Sequence, residues 1–305
     1  MFIRGLRRVA ATLLPLLLTA ASVAHAAWPQ PCSAPPSLSA TEQDRLLRLA
    51  ALIKTELEAS GARLALVARS GLDLGRFGVR YSHAGVSLKA SRNTPWSVRQ
   101  LYYACDEQQP KLFDEGLAGF LLGTDDPRLG YVSLLLLPER EAAALERTAL
   151  DDRRALQLLA PRYSANAYPF SVQYQNCNQW LAELWALAFG ELGPAEETAA
   201  LRAQAQLWLQ RQGYAPQPLE VGAWMVLAPW IPWLHRDDHP PEDLERRTIR
   251  TSLPASVEAF VQATVPGAQR IEFCHAGAQV VVRRGWQPIA DGCRPAEGDR
   301  VLALD

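Results

Sequence analysis

The chain has 305 residues, a formal net charge of −1 and 49% hydrophobic residues. This charge balance supplies no basic face for nucleic acid, and the length allows one large domain or a domain with an appendage. There are five cysteines, Cys32, Cys105, Cys177, Cys274 and Cys293, and the odd count leaves one thiol over if the others pair.

Residues 1–26 read as a signal peptide. Arg4, Arg7 and Arg8 form a basic start, Val9 to Val23 an apolar stretch, and Ala24-His25-Ala26 a small-residue cleavage site. The apolar stretch is short for a membrane anchor. The expected product is a periplasmic or secreted protein cleaved near Ala26, with no remaining transmembrane anchor. Export permits disulfides. Cys274 and Cys293 flank two strand-like segments and form the first candidate pair, which leaves Cys32 with Cys105 as the second. The cysteines lack C-x-x-C spacing, so no metal site and no cofactor is assigned.

After a proline-rich lead-in, Ser39 and Glu42 make a capping-box signature for a helix with Leu46, Leu49, Ile53 and Leu57 on one face, ended by Gly61. Arg63 to Ala68 reads as a buried strand and Ser70 to Gly78 as a turn. Phe77 to Leu88 and Trp96 to Tyr103 read as the next two strands. The segment from Cys105 to Pro110 is a loop, Leu112 to Leu122 a short helix, and Tyr131 to Leu137 a central strand. Glu139 to Leu159 reads as one long amphipathic helix with a solvated charged face. A further helix spans Ala195 to Gln212. Residues 224–233 are rich in tryptophan, and a buried connector is favoured there over a lipid or glycan contact. His235-Arg-Asp-Asp-His239 has the residue types of a metal site but reads as a solvated loop. A helix from Ser252 to Thr264 precedes three strand-like segments, so residues 241–305 form a C-terminal helix and small β extension.

The informative stretch is Tyr174-Gln-Asn-Cys-Asn-Gln-Trp180. Cys177, Leu181, Leu184 and Ala188 recur at helical spacing, Asn176 suits an N-cap, and Gly190 and Gly193 suit a stop. Cys177 is thereby expected in the first turn of a core-packed helix, where free N–H groups and the helix dipole favour a thiolate and can stabilise an oxyanion. On position alone, a buried core cysteine or half of a disulfide is an equal alternative. The histidines of the mature chain are His83, His235, His239 and His275. His83 lies in a strand-like run beside Gly85, which allows close backbone approach. Gln100, on the following strand, can orient an imidazole or equally face solvent.

The runs S-H-A-G-V-S-L and N-C-N-Q-W, with a strand carrying a polar residue between them, resemble the circularly permuted papain-like superfamily. That superfamily includes permuted relatives of NlpC-type cell-wall peptidases and lecithin retinol acyltransferase. The resemblance implies an α+β fold over residues 27–240, with a mainly antiparallel sheet packed on the cysteine helix. It also implies Cys177 as nucleophile, His83 as base and Gln100 in the orienting position. More narrowly, R-Y-S-H-A-G, L-Y-Y-A-C-D, L-F-D-E-G-L-A-G-F and Q-N-C-N-Q-W resemble an uncharacterised family of secreted bacterial proteins, domain-of-unknown-function family twenty-one forty-five, over about Leu64 to Gly190. The expected activity is that of a cysteine hydrolase or acyltransferase. Its oxyanion or substrate candidates are Tyr174, Gln175 and Asn176, and its expected substrates are cell-wall peptides or lipid and acyl groups. Two other readings stand beside it. One is a non-catalytic periplasmic binding or envelope-assembly protein on the same scaffold. The other is a thiol–disulfide protein pairing Cys105 with Cys177.

Overall fold

The computed structural model describes residues 37–222 and 231–304. The expected signal peptide, Cys32 and Ala223 to Trp230 of the tryptophan-rich segment lie outside the described residues.

The fold is α+β. The helix α1 (Ala40–Ala59) starts at the expected capping box, in which Ser39 and Glu42 satisfy each other's backbone N–H groups. It leads to strand β1 (Leu64–Arg69), which is buried along its whole length. The sheet is then built from β2 (His83–Leu88), β3 (Ser97–Ala104), β4 (Gln109–Glu115) and β5 (Leu129–Leu136), with helix α2 (Leu117–Leu122) between the last two. Helices α3 (Glu139–Leu150), α4 (Asp152–Gln157), α5 (Cys177–Phe189) and α6 (Thr198–Arg211) follow. The short strands β6 (Gln217–Glu220) and β7 (Thr248–Thr251) pair with each other, on either side of helix α7 (Pro241–Glu245). Helix α8 (Pro254–Thr264) then leads to β8 (Gln269–Ala276), β9 (Gln279–Arg284) and β10 (Arg300–Ala303).

The main sheet has eight strands in the order β10-β9-β8-β5-β1-β2-β3-β4, and its neighbouring strands are antiparallel. Alternation along β1 sends Leu64, Leu66 and Ala68 into one core, and Ala65 and Val67 into another. The first core holds residues of α3, α5, α6 and α8, while the second holds residues of α1 and α2. Helices thus cover both faces, which is why β1 and β5 read as continuous apolar runs. The C-terminal strands belong to this same sheet. β8 pairs with β5 from Leu129↔Ala276 to Leu136↔Gln269, so β8 to β10 extend the sheet that carries His83 and Gln100.

Several boundaries differ from the sequence reading. Leu112 to Glu115 belongs to β4, and only the part after Gly116 is helical. β4 is an edge strand, and its Pro110, Lys111, Asp114 and Glu115 mask the apolar alternation. The expected long helix breaks at Asp151, which is extended and caps α4 by accepting from the Arg154 N–H at 3.1 Å. The strand expected from Phe77 begins only at His83, after a single 3-10 turn at Gly75–Phe77. Helix α8 begins at Pro254, not at Ser252, and has no side-chain cap.

The disulfide Cys274–Cys293 is present. Cys105 is also disulfide-bonded, and its expected partner Cys32 lies outside the described residues. Cys177 is the free thiol among the described residues, which removes the Cys105–Cys177 pairing. Among the described residues, no helix is long and apolar enough to cross a membrane.

Candidate active site

The α5 helix begins where the sequence places it. Asn176 is the N-cap, and its Oδ1 accepts from the Gln179 N–H at 2.7 Å. The first eleven residues of the helix are all buried, so it is enclosed on every side and not merely on one stripe. Among its polar members Glu183 is fully engaged, whereas Asn178 Oδ1 and Gln179 Oε1 are buried without a hydrogen-bond partner. Glu183 accepts from Arg202 Nε at 2.8 Å, Gln175 Nε2 at 2.6 Å and Gln206 Nε2 at 2.7 Å. Arg202 also donates to the carbonyls of Val172 and Tyr174. This network ties α6 and the irregular approach segment to α5, and so fixes the position of Cys177.

On β2, Ala84, Val86 and Leu88 face the core that contains Cys177. The pleat turns His83 the other way, towards Phe120, with ring centroids 5.9 Å apart. Gln100 lies on the same side as His83, and its Oε1 is 2.5 Å from His83 Nε2. The amide orientation follows from its other end, where Gln100 Nε2 donates to Glu115 Oε2 at 2.7 Å. An amide oxygen only accepts, so His83 carries its proton on Nε2, and Nδ1 keeps the lone pair. Gly85 makes this pairing possible. A Cβ there would stand 2.6 Å from Val98 Cγ1 and 2.7 Å from Arg99 O. Gly119 makes room for Glu115 in the same way, since a Cβ would stand 2.7 Å from its Oε1. Glu115 is a member of the site that sequence reading missed, although it sits inside one of the family-like runs.

The thiol and the imidazole form no hydrogen bond with each other. Burial pushes the Cys177 thiol up to about 12, against the smaller opposing effects of the Asn178, Cys177 and Ala84 N–H groups and of the Arg69 charge. Burial, with the Arg69 charge, lowers His83 to about 3, and the bond to Gln100 only partly opposes it. The resting pair is therefore a neutral thiol and a neutral imidazole. The helix N-terminus alone favours a thiolate, but desolvation outweighs it.

The three expected oxyanion or substrate candidates are committed to the scaffold. Gln175 is fully buried; its Oε1 accepts from the Ala160 N–H at 2.9 Å, and its Nε2 donates to Leu158 O and Glu183. Asn176 caps α5 and donates to Thr251 Oγ1 at 2.9 Å. Tyr174 stacks on His235 at 4.2 Å and reaches Asp237. The donors left facing the sulfur are main-chain N–H groups. The His235 to His239 loop is solvated only in part, with Arg236 and Asp237 exposed as expected. His239 is buried and bonds the Asn166 carbonyl at 2.9 Å, and Asp238 accepts from the Tyr168 N–H at 2.8 Å. No group of His, Cys, Asp or Glu disposed to hold a metal ion occurs among the described residues. An open depression of about 520 Å³, lined in part by Tyr168, Gln206 and His239, does not include Cys177 or His83.

The profile of DUF2145, described as an uncharacterized protein conserved in bacteria, matches residues 56–261. The chain belongs to this family. No curated protein and no solved structure matches it significantly. The matched region holds Arg69, His83, Gln100, Glu115 and Cys177, while β8 to β10 follow it.

Proposed function

We propose that this family member is an exported cysteine-dependent hydrolase or acyltransferase on a circularly permuted papain-like scaffold, acting on peptide amides or acyl esters such as those of the cell wall. The observation that carries the reading is the Glu115–Gln100–His83 chain of hydrogen bonds, beside the strand against which the Cys177 thiol lies. A histidine fixed at Nε2 by an acceptor presents Nδ1 as a base, which is the nucleophile–base–orienter logic of thiol acylation.

In this reading the acyl group enters, and the His83 ring, which rests on the Gln100 side of β2, swings round the end of the strand to meet the thiol. Nδ1 takes the Sγ proton as Sγ attacks the carbonyl carbon. The main-chain N–H groups at the start of α5 face the oxyanion. The tetrahedral intermediate expels an amine or alkoxide, which leaves with the proton from His83. The Cys177 thioester is then attacked by water or another acceptor, whose proton passes to Nδ1, and the second tetrahedral intermediate expels Sγ, which takes that proton back and restores the thiol.

The second reading, a non-catalytic binding protein, draws on the missing His83–Cys177 bond and the raised thiol. Incubation of the mature protein with p-nitrophenyl acetate separates the two. The hydrolase reading expects release of p-nitrophenol and an acetyl mass on the Cys177 peptide, absent in Cys177→Ser. Folded protein that never acquires that mass supports the binding reading.

A further inference from the structure

Arg69 ends β1 and pairs with His83 across the β1–β2 ladder. It is 5% exposed, and its guanidinium lies 5.1 Å over the Phe120 ring that His83 also approaches. Its one hydrogen bond runs from Nη1 to the carbonyl of Ser70 at 3.3 Å. Nε is buried without a partner. Glu115 and Asp125 act on it at longer range, but neither forms an ion pair with it. Glu115 is instead held by Gln100.

A guanidinium cannot shed its proton to escape burial, and burying a charge without a counter-charge costs several kcal/mol. The local backbone nevertheless preserves the space around it. At Gly71 a Cβ would collide with Nη1, and at Gly123 with Nη2 and, at 3.1 Å, with Cζ. Two glycines from separate loops thus admit the charged fork, and no protein carboxylate completes it. The guanidinium presents parallel N–H pairs in one rigid plane, which suits a carboxylate. Its neighbours are the His83 ring and the strand whose Ala84 N–H faces the Cys177 sulfur.

We propose that Arg69 is the anion receptor of this site, and that the acyl substrate carries a carboxylate which Arg69 binds beside Cys177. This rests on the hydrolase reading for the word substrate, but the anion site itself is open to direct test. The full mature chain is alkylated with iodoacetate and, separately, with iodoacetamide, and modification of Cys177 is followed by mass spectrometry. The two reagents place the same carbon on sulfur and differ in bearing a carboxylate or a neutral amide. The ratio of the iodoacetate rate to the iodoacetamide rate should be about tenfold higher in wild type than in Arg69→Met, the size expected for one charge-assisted contact. Acetate added at constant ionic strength should slow iodoacetate in wild type while leaving iodoacetamide unaffected. This competition needs no variant, so it stands even where Arg69→Met does not fold. Equal ratios in the two folded proteins, no competition by acetate, or a Cys177 that reacts with neither reagent in folded wild type would each overturn the proposal. An Arg69-dependent ratio without any acetyl thioester would keep the anion site and remove the hydrolase.

Discussion

Arg202 and Arg69 are both buried, one bonded to the Cys177 helix and one acting on the Cys177 thiol, but only Arg202 is paired. Arg202, on α6, gives two hydrogen bonds to Glu183 and two to main-chain carbonyls. Arg69, on β1, gives a single long one. The first arrangement is what a scaffold requires of a buried charge, with each guanidinium nitrogen bonded to an acceptor and the counter-ion in place. The second leaves donors idle beside the Glu115–Gln100–His83 chain. A buried charge kept without compensation contributes nothing to stability, and this contrast separates the part of the molecule that holds Cys177 in place from the part that awaits a ligand.

The contrast is most easily broken by mutating each arginine in turn. Arg202→Met strands the Glu183 carboxylate and should lower stability by about 3–5 kcal/mol. Arg69→Met should leave stability level or raise it by about 1 kcal/mol, because it removes a charge and no ion pair. Urea unfolding curves on both variants measure the difference, and equal losses would end the distinction. Replacing Cys274 and Cys293 by serine releases a closed loop with a sequence separation of 19. It should cost about 3 kcal/mol in the same assay and, because β5 and β1 lie between β8 and β2, leave Cys177 chemistry unchanged.

Gly85→Ala is a smaller probe, aimed at the site. The added methyl forces β3 away from β2 and should cost about 1–3 kcal/mol while loosening the His83–Gln100 bond. A nuclear magnetic resonance spectrum of the imidazole should show the Nε2 proton exchanging faster with water than in wild type. Acid adds a graded test. His83 at about 3 and His275 at about 4 both lie below the usual value of 6.5 because burial disfavours the cation. The unfolded chain therefore binds more protons than the native one as the pH falls below about 6.5. Stability conferred by these neutral rings is full above pH 6.5 and is lost progressively down to about pH 4 and then 3. His83→Gln should flatten that decline, as read from midpoints across the range. Cys177 works in the opposite sense, since its thiol stays protonated to about 12, so stability falls as the pH rises from about 9.

Much of this organisation was legible in the sequence. The Ser39 cap, the apolar runs of β1 and β5, the Asn176 cap and the Cys177 spacing each follow local rules that tertiary structure left intact. His83 and Gln100 were legible as residue types on adjacent strands, and their contact as an expectation. The parts that escaped depend on distant partners. Arg69 follows an apolar strand and looks like its solvated end; only the fold of loops 70–73 and 123–126 encloses it. Glu115 looked helical because Leu117 to Leu122 follows it, whereas Gly116 and Gly119 in the same run are the signal that the chain turns there and keeps space for the carboxylate. The thiol's position at a helix N-terminus was correctly read, but its protonation was not, because burial by α3, α6 and α8 is invisible to local spacing.

The central claim is that His83 activates a neutral Cys177 thiol. It is tested most directly by the rate of Cys177 acylation by p-nitrophenyl acetate from pH 5 to 8, in wild type and in His83→Ala. With the imidazole already neutral across this range, the account predicts a nearly level wild-type profile and a rate lower by about 100-fold or more in His83→Ala. A rate that climbs about tenfold per pH unit and is the same in both proteins would mark a thiol ionising on its own, and would contradict the account.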